Sequence, residues 1–130
     1  MKTLPPKEAW ALLQQNPQAV FVDIRMEIES MYVGRPPGVY NIAWEEYPAF
    51  HADPNAFVAA VAHEAPHKDT LVLLICRSGN RTIAAGKALE AAGFTQVFEV
   101  GHGFEGDLDD QFHRSTLNGW RFEGLPWEQL

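Results

Sequence analysis

Residues 71–94 read LVLLICRSGNRTIAAGKALEAAGF and contain Cys76, the sole cysteine of a 130-residue chain. The run TLVLLIC (70–76) is apolar without alternation, which predicts a strand buried on both faces at the centre of a parallel sheet. After the polar loop, RTIAAGKALEAAGF places Ile83, Gly86, Leu89 and Ala92 along one helical face, with Gly93 as the stop. A strand that runs straight into a helix presents its connecting loop at the carboxyl end of the sheet, where open α/β folds bind ligands. Cys76 to Arg81 is that loop.

Working outward, the N-terminal PPKEAWALLQQNP predicts a short helix that Asn16-Pro17 stops. AVFVDIR (19–25) predicts a strand with a polar end at Asp23, and a second short strand is expected around Val39 to Ala43, after a Gly/Pro turn. DPNAFVAAVAHEAP has Asp53 as N-cap and Pro54 at the first helical position, aligns Phe57, Val58, Val61 and Ala62, and ends at Pro66. TQVFEV (95–100) predicts the last strand, before an irregular tail in which Trp120 and Trp127 tuck onto the body. This alternation implies an α/β fold, with a mostly parallel sheet and helices on both faces. A chain of 130 residues with 46% hydrophobic content suits one domain with its own core, spanning 1–130, with an acidic insertion around 105–118.

Composition limits the function classes. A net charge of −7 argues against nucleic acid as a partner, since phosphate contacts need clustered Lys and Arg. A single cysteine excludes an intrachain disulfide. No segment has the length and apolarity of a signal peptide or membrane span, so a cytoplasmic protein without membrane contact is expected.

The loop combines a nucleophile with an anion cradle. Backbone N–H groups at a helix start converge on one centre, and the helix dipole adds roughly half a positive charge. Arg77 and Arg81 add full charges, and such surroundings favour thiolate over thiol. Gly79 permits a tight turn, Ser78 supplies a hydroxyl, and Asn80 completes the loop ahead of Arg81. A cysteine after an apolar run is often only a small buried hydrophobe. Such a residue has no need of charged neighbours, whose unpaired burial would be costly.

CRSGNRT followed by AAGKALEAAGFTQVFEV resembles the active-site loop, helix and next strand of the rhodanese-like sulfurtransferases. VFVDIR resembles the family's early strand with its Asp-x-Arg ending, and GRPPGVYNI its Gly-His-x-x-Gly-Ala-x-Asn-Ile segment. The resemblance extends to about residue 104. Cysteine-dependent phosphatases and arsenate reductases space cysteine and arginine one residue further apart, so that Thr82 holds the place of their arginine; the shorter loop suits sulfur. The resemblance implies a rhodanese-type sulfurtransferase of the thiosulfate class that carries sulfur as a Cys76 persulfide. Arg77, Ser78, Gly79, Asn80 and Arg81 would bind a small anionic donor such as thiosulfate, with cyanide or a thiol as acceptor and no metal or other cofactor. A sulfur-carrier or regulatory module that receives persulfide from a partner protein and delivers it to a protein acceptor is the alternative reading, and a phosphatase or arsenate reductase a third.

The sequence departs from the family pattern at Arg35, where His is usual, at Val39, where Ala is usual, and at His102, where a Gly-Gly pair is usual. Asp107 lies near the position of a usual Trp, whose role at the pocket rim Trp120 is expected to take after the insertion. Asp23 and Arg25 are expected to pair structurally rather than act on substrate. HEAPH (63–67) spells a zinc-peptidase motif, but Pro66 breaks the turn that would bring both histidines to one face. GHGFEG (101–106) matches a dinucleotide fingerprint without the helix that should follow it. DLDDQFHRSTLN starts like a calcium loop but has Phe112 where Gly is needed and Asn118 where Glu is needed.

Overall fold

The computed structural model describes all 130 residues. In chain order the elements are β1 (Lys2–Leu4), α1 (Pro6–Gln15), β2 (Val20–Asp23), β3 (Tyr40–Asn41), α2 (Pro54–Glu64), β4 (Val72–Ile75), α3 (Arg81–Ala91) and β5 (Val97–Val100). A single π-helical turn, Glu29–Val33, lies between β2 and β3. The strands form one parallel sheet in the order β1-β5-β4-β2-β3.

β4 is the middle strand, and Val72, Leu73, Leu74 and Ile75 have no accessible surface. Burying each such side chain stabilises the fold by about 1.5–3 kcal/mol, which accounts for the unbroken apolar run. Alternate residues face opposite layers. Val72 and Leu74 pack with Phe57 and Val61 of α2 and Ala85 and Leu89 of α3; Leu73 and Ile75 pack with Ala9 of α1, Phe21, Phe104 and Trp120. Helices therefore cover both faces, as expected.

Local signals act where they were read. Asp53 Oδ1 accepts from the Ala56 amide at 3.1 Å with Pro54 at the first helical position, and α2 closes at Glu64, before Pro66. Two expectations need correction. β1, an edge strand of three residues, precedes α1 and pairs with β5, so the chain begins with a strand rather than a helix. The buried face of α3 is Thr82, Ala85, Gly86 and Leu89, whereas Ile83 points outward and is 49% exposed. The N-terminal methionine fixes that face: a Cβ on Gly86 would collide with the Met1 thioether. Asp23, at the polar end of β2, is fully buried.

The tail after β5 returns to the body. Trp120 is inaccessible, with its ring 5.6 Å from Phe21 and 5.7 Å from Trp10, and Nε1 donates to the Pro126 carbonyl at 2.8 Å. It fills the layer beneath the sheet and so cannot form a pocket rim, contrary to the expectation. Trp127 is only partly covered, lying 6.1 Å from Phe104. No helix is long and apolar enough to cross a membrane.

Candidate active site

Cys76 follows β4 at the carboxyl end of the sheet, and only 1% of its surface is accessible. Gly79, at φ +98°, turns its amide onto Sγ at 3.2 Å. On the other side of the sulfur, Thr82 Oγ1 lies at 3.8 Å, within reach of the thiol as an acceptor, and its own hydroxyl donates to Glu99. Glu99 also accepts from Thr3 Oγ1 at 2.6 Å. The position that a phosphatase would give to arginine thus holds a buried hydroxyl tied to a carboxylate on β5. Ser78 Oγ and the Asn80 side chain form no hydrogen bond within the protein, and neither do the amides of Ser78, Asn80, Arg81 and Thr82. The amides of Arg81 and Thr82 are the unpaired donors of the first turn of α3, and those of Ser78 and Asn80 lie in the loop that leads into it.

The loop is fastened from outside by residues 101–106. Phe104 N donates to the Cys76 carbonyl at 2.8 Å, and the amides of Glu105 and Gly106 donate to the Arg77 carbonyl at 2.9 and 3.2 Å. Gly103 sits so close that a Cβ would lie 2.6 Å from the Arg77 carbonyl carbon and oxygen. GHGFEG is therefore a strap on the cysteine loop. His102 keeps a positive φ of 63° where the family pattern has glycine, and its Nδ1 lies 3.3 Å from Asp107 Oδ2.

The two loop arginines differ. Arg77 is exposed and pairs with nothing. Arg81 donates to both oxygens of Glu29 on the π-helical turn, a partner that the sequence did not point to. Burial would push the Glu29 carboxyl up, but the hydrogen bonds and charge of Arg81 outweigh it and hold the group below its ordinary value of 4.5. Burial likewise opposes the Arg81 charge, and Glu29 outweighs it and moves that group upward. Beneath this layer, Arg25 Nε and Nη2 bond Asp23 at 2.9 and 2.7 Å, both side chains being inaccessible. Arg25 Nη2 also reaches the Gly34 carbonyl at 2.6 Å, while Nη1 has no partner and the guanidinium lies 4.6 Å from the centre of the Phe104 ring. Asp23 and Arg25 are a buried brace under the loop.

A cleft of about 470 Å³ opens beside the loop, lined by Met26, Glu29, Val33, Arg77, Arg81, Glu105 and Arg114; the buried Cys76 is not itself part of its lining. A cleft of the same volume lies at the opposite end of the sheet, around Asn16, His67 and Gln96, and is lined by no cysteine or arginine. Residues 105–118 form a loop held by its own hydrogen bonds: Asp109 Oδ1 accepts from the amides of Gln111 and His113, and Oδ2 accepts from Thr116 Oγ1 at 2.7 Å. These bonds, that of the His113 amide foremost, hold the Asp109 carboxyl below its usual range.

The family model for the rhodanese-like domain matches residues 5–109. The chain belongs to the rhodanese-like family. Its fold is similar to the crystal structure of Rv0390 from M. tuberculosis, with 37% identity and a TM-score of 0.86 over 100% of this chain and 98% of that one. A thiosulfate sulfurtransferase from Pseudomonas aeruginosa is 25% identical with a TM-score of 0.72, matching 99% of this chain but 20% of that longer one. A rhodanese domain-containing protein of Drosophila melanogaster is 30% identical over 83 residues, which are 63% of this chain and 75% of that protein. Rhodanese-like membership supports sulfur transfer by a sulfurtransferase-type enzyme as the class of chemistry.

Proposed function

We propose that this rhodanese-like protein moves sulfane sulfur from thiosulfate or a related small anionic donor to cyanide or a thiol, through a persulfide on Cys76. The observation that carries this reading is the setting of Sγ, which receives the Gly79 amide at the head of α3, in a loop whose Arg77 and Arg81 line the adjoining cleft. The Cys76 thiolate attacks the outer sulfur of thiosulfate. A new S–S bond forms as the old one breaks, and sulfite departs with the electron pair. The persulfide anion that remains is stabilised by the loop amides, as an oxyanion is in acyl transfer. Cyanide then attacks the outer sulfur, forms thiocyanate and returns the thiolate. One cysteine suffices because no second thiol is needed. Arg77 supplies the unpaired charge that draws the donor, and Arg81, joined to Glu29, shapes the loop.

Incubation with thiosulfate followed by intact mass measurement tests this. The expected result is a gain of one sulfur atom, absent in Cys76→Ser and discharged by cyanide. Hydrolysis of an aryl phosphate dependent on Cys76 would overturn the reading. One observation favours transfer from a protein instead: Ile28, Tyr47 and Phe50 are more than half exposed and adjoin Met26, which also lines the cleft. Sulfur loading from a persulfidated protein but not from thiosulfate would establish that carrier role.

A further inference from the structure

The charges lining the cleft beside the cysteine loop do not cancel. Glu29 is taken by Arg81, and Glu105, which also lines the cleft, lies 3.9 Å from Nη2 of Arg121, which does not. Two guanidinium groups then have no carboxylate partner: Arg77 on the cysteine loop, and Arg114 on the acidic insertion. Arg114 Nη1 donates to the Gly106 carbonyl at 2.8 Å, a neutral acceptor that orients the group and leaves its charge and its other N–H donors available. The chain on either side of Arg114 is held. His113 N bonds Asp109, and Ser115 N donates to the Glu105 carbonyl at 2.6 Å. Glu105 and Gly106 are the same residues whose amides grip the Arg77 carbonyl. This shared anchor sets Arg77 and Arg114, which lie far apart in sequence, on one cleft.

We propose that Arg114 is a specificity-determining residue that joins Arg77 to select a dianionic sulfur donor over a monoanionic one. The inference rests on the sulfur-transfer reading and names its substrate class. The chain carries a net charge of −7, so its overall field repels a dianion. Salt screens that field beyond about 8 Å. Attraction must come from charges in the cleft itself, and a planar guanidinium binds an oxyanion through two parallel N–H donors. With thiosulfate, the outer sulfur meets Cys76 and the sulfonate oxygens, whose charge grows as sulfite departs, meet the two arginines.

The test compares formation of the Cys76 persulfide from thiosulfate and from benzenethiosulfonate. Both donors transfer their outer sulfur by the same S–S cleavage, releasing the sulfite dianion or the benzenesulfinate monoanion. Arg114→Gln should lower kcat/KM with thiosulfate about tenfold, the scale of one hydrogen bond to a charged group, and with benzenethiosulfonate less than about threefold. Arg114→Lys should restore part of the thiosulfate rate. Arg77→Gln, at an exposed side chain without intramolecular bonds, should show the same donor-selective loss without touching the insertion. Equal loss with both donors, or no loss with either, overturns the role of Arg114 and leaves sulfur transfer standing. Failure of the unsubstituted protein to load from either donor overturns the sulfur-transfer reading and this inference with it.

Discussion

Arg81 and Glu29 form a two-pronged ion pair, Nη1 to Oε1 at 2.7 Å and Nη2 to Oε2 at 2.9 Å. The pair joins the head of α3 to the π-helical turn, and both residues line the cleft beside the cysteine loop. It also hides one positive and one negative charge from any anion that enters. An arginine that closes a cysteine loop need not be the cation that meets substrate; here its charge is already answered.

Removing either partner should shift the cleft charge in opposite senses. Arg81→Gln exposes the Glu29 carboxylate and should raise KM for thiosulfate roughly twofold to fivefold, the scale of a partly screened charge pair. Glu29→Gln frees the Arg81 guanidinium and should lower KM by a similar factor. Steady-state kinetics on both variants decides the matter. A rise in KM for both would mean that the pair acts through loop geometry alone.

The same pair predicts an acid limb of stability. The folded-state pKa of Glu29 lies below its ordinary value of 4.5, so the unfolded chain takes up the proton first as pH falls. The stabilisation is therefore complete above about pH 4.5 and is lost as pH falls through the depressed folded value. Arg81 moves the other way, so its contribution persists across the neutral range. Urea midpoints measured from pH 7 down to pH 3 should fall less steeply in Glu29→Gln than in the unsubstituted protein. Parallel curves would remove Glu29 from the account.

Much of this was legible because it is local. β4 and the cysteine loop announce themselves through consecutive residues, and Asp53-Pro54 sets a helix start within three positions. What escaped reading depends on partners far along the chain. Arg81 meets Glu29 across 52 positions, and Thr3 meets Glu99 across 96. β1 has three residues at a sheet edge, too few for a periodic signal. The alanines of α3 leave its helical period ambiguous, and the contact between Gly86 and Met1 that settles the buried face is remote in sequence. Arg114 gave no signal, since only the folded insertion brings it to the cleft.

The strap at residues 101–106 makes Gly103 a critical position. Any Cβ there meets the backbone of Cys76 and Arg77, and neither can yield without moving the loop. Gly103→Ala should reduce persulfide formation at least tenfold, on the view that misplacing reacting groups by about 1 Å costs roughly a hundredfold. Gly38→Ala serves as a control, because its φ of 77° is similar but nothing lies within 4 Å. That variant should cost about 1 kcal/mol of backbone strain and leave the loading rate unchanged. Equal loss of activity in the two variants would show that strain, and not contact with the loop, was responsible.

Asp23 and Arg25 supply the last test, which concerns the floor under the loop. Both side chains are inaccessible and bonded to each other, so Arg25→Met leaves a buried carboxylate without its cation, held only by the backbone amide of residue 25 at 3.1 Å. Breaking one side of such a pair costs about 3–5 kcal/mol, whereas replacing both sides with apolar groups of similar volume is often neutral. Urea unfolding should therefore show a large loss for Arg25→Met and a substantial recovery in Asp23→Leu/Arg25→Met. Recovery should be incomplete, because the Gly34 carbonyl also loses its 2.6 Å bond from Nη2 and the Phe104 ring its cation. A double variant no more stable than Arg25→Met would mean that Arg25 matters for those two contacts and not for the charge of Asp23.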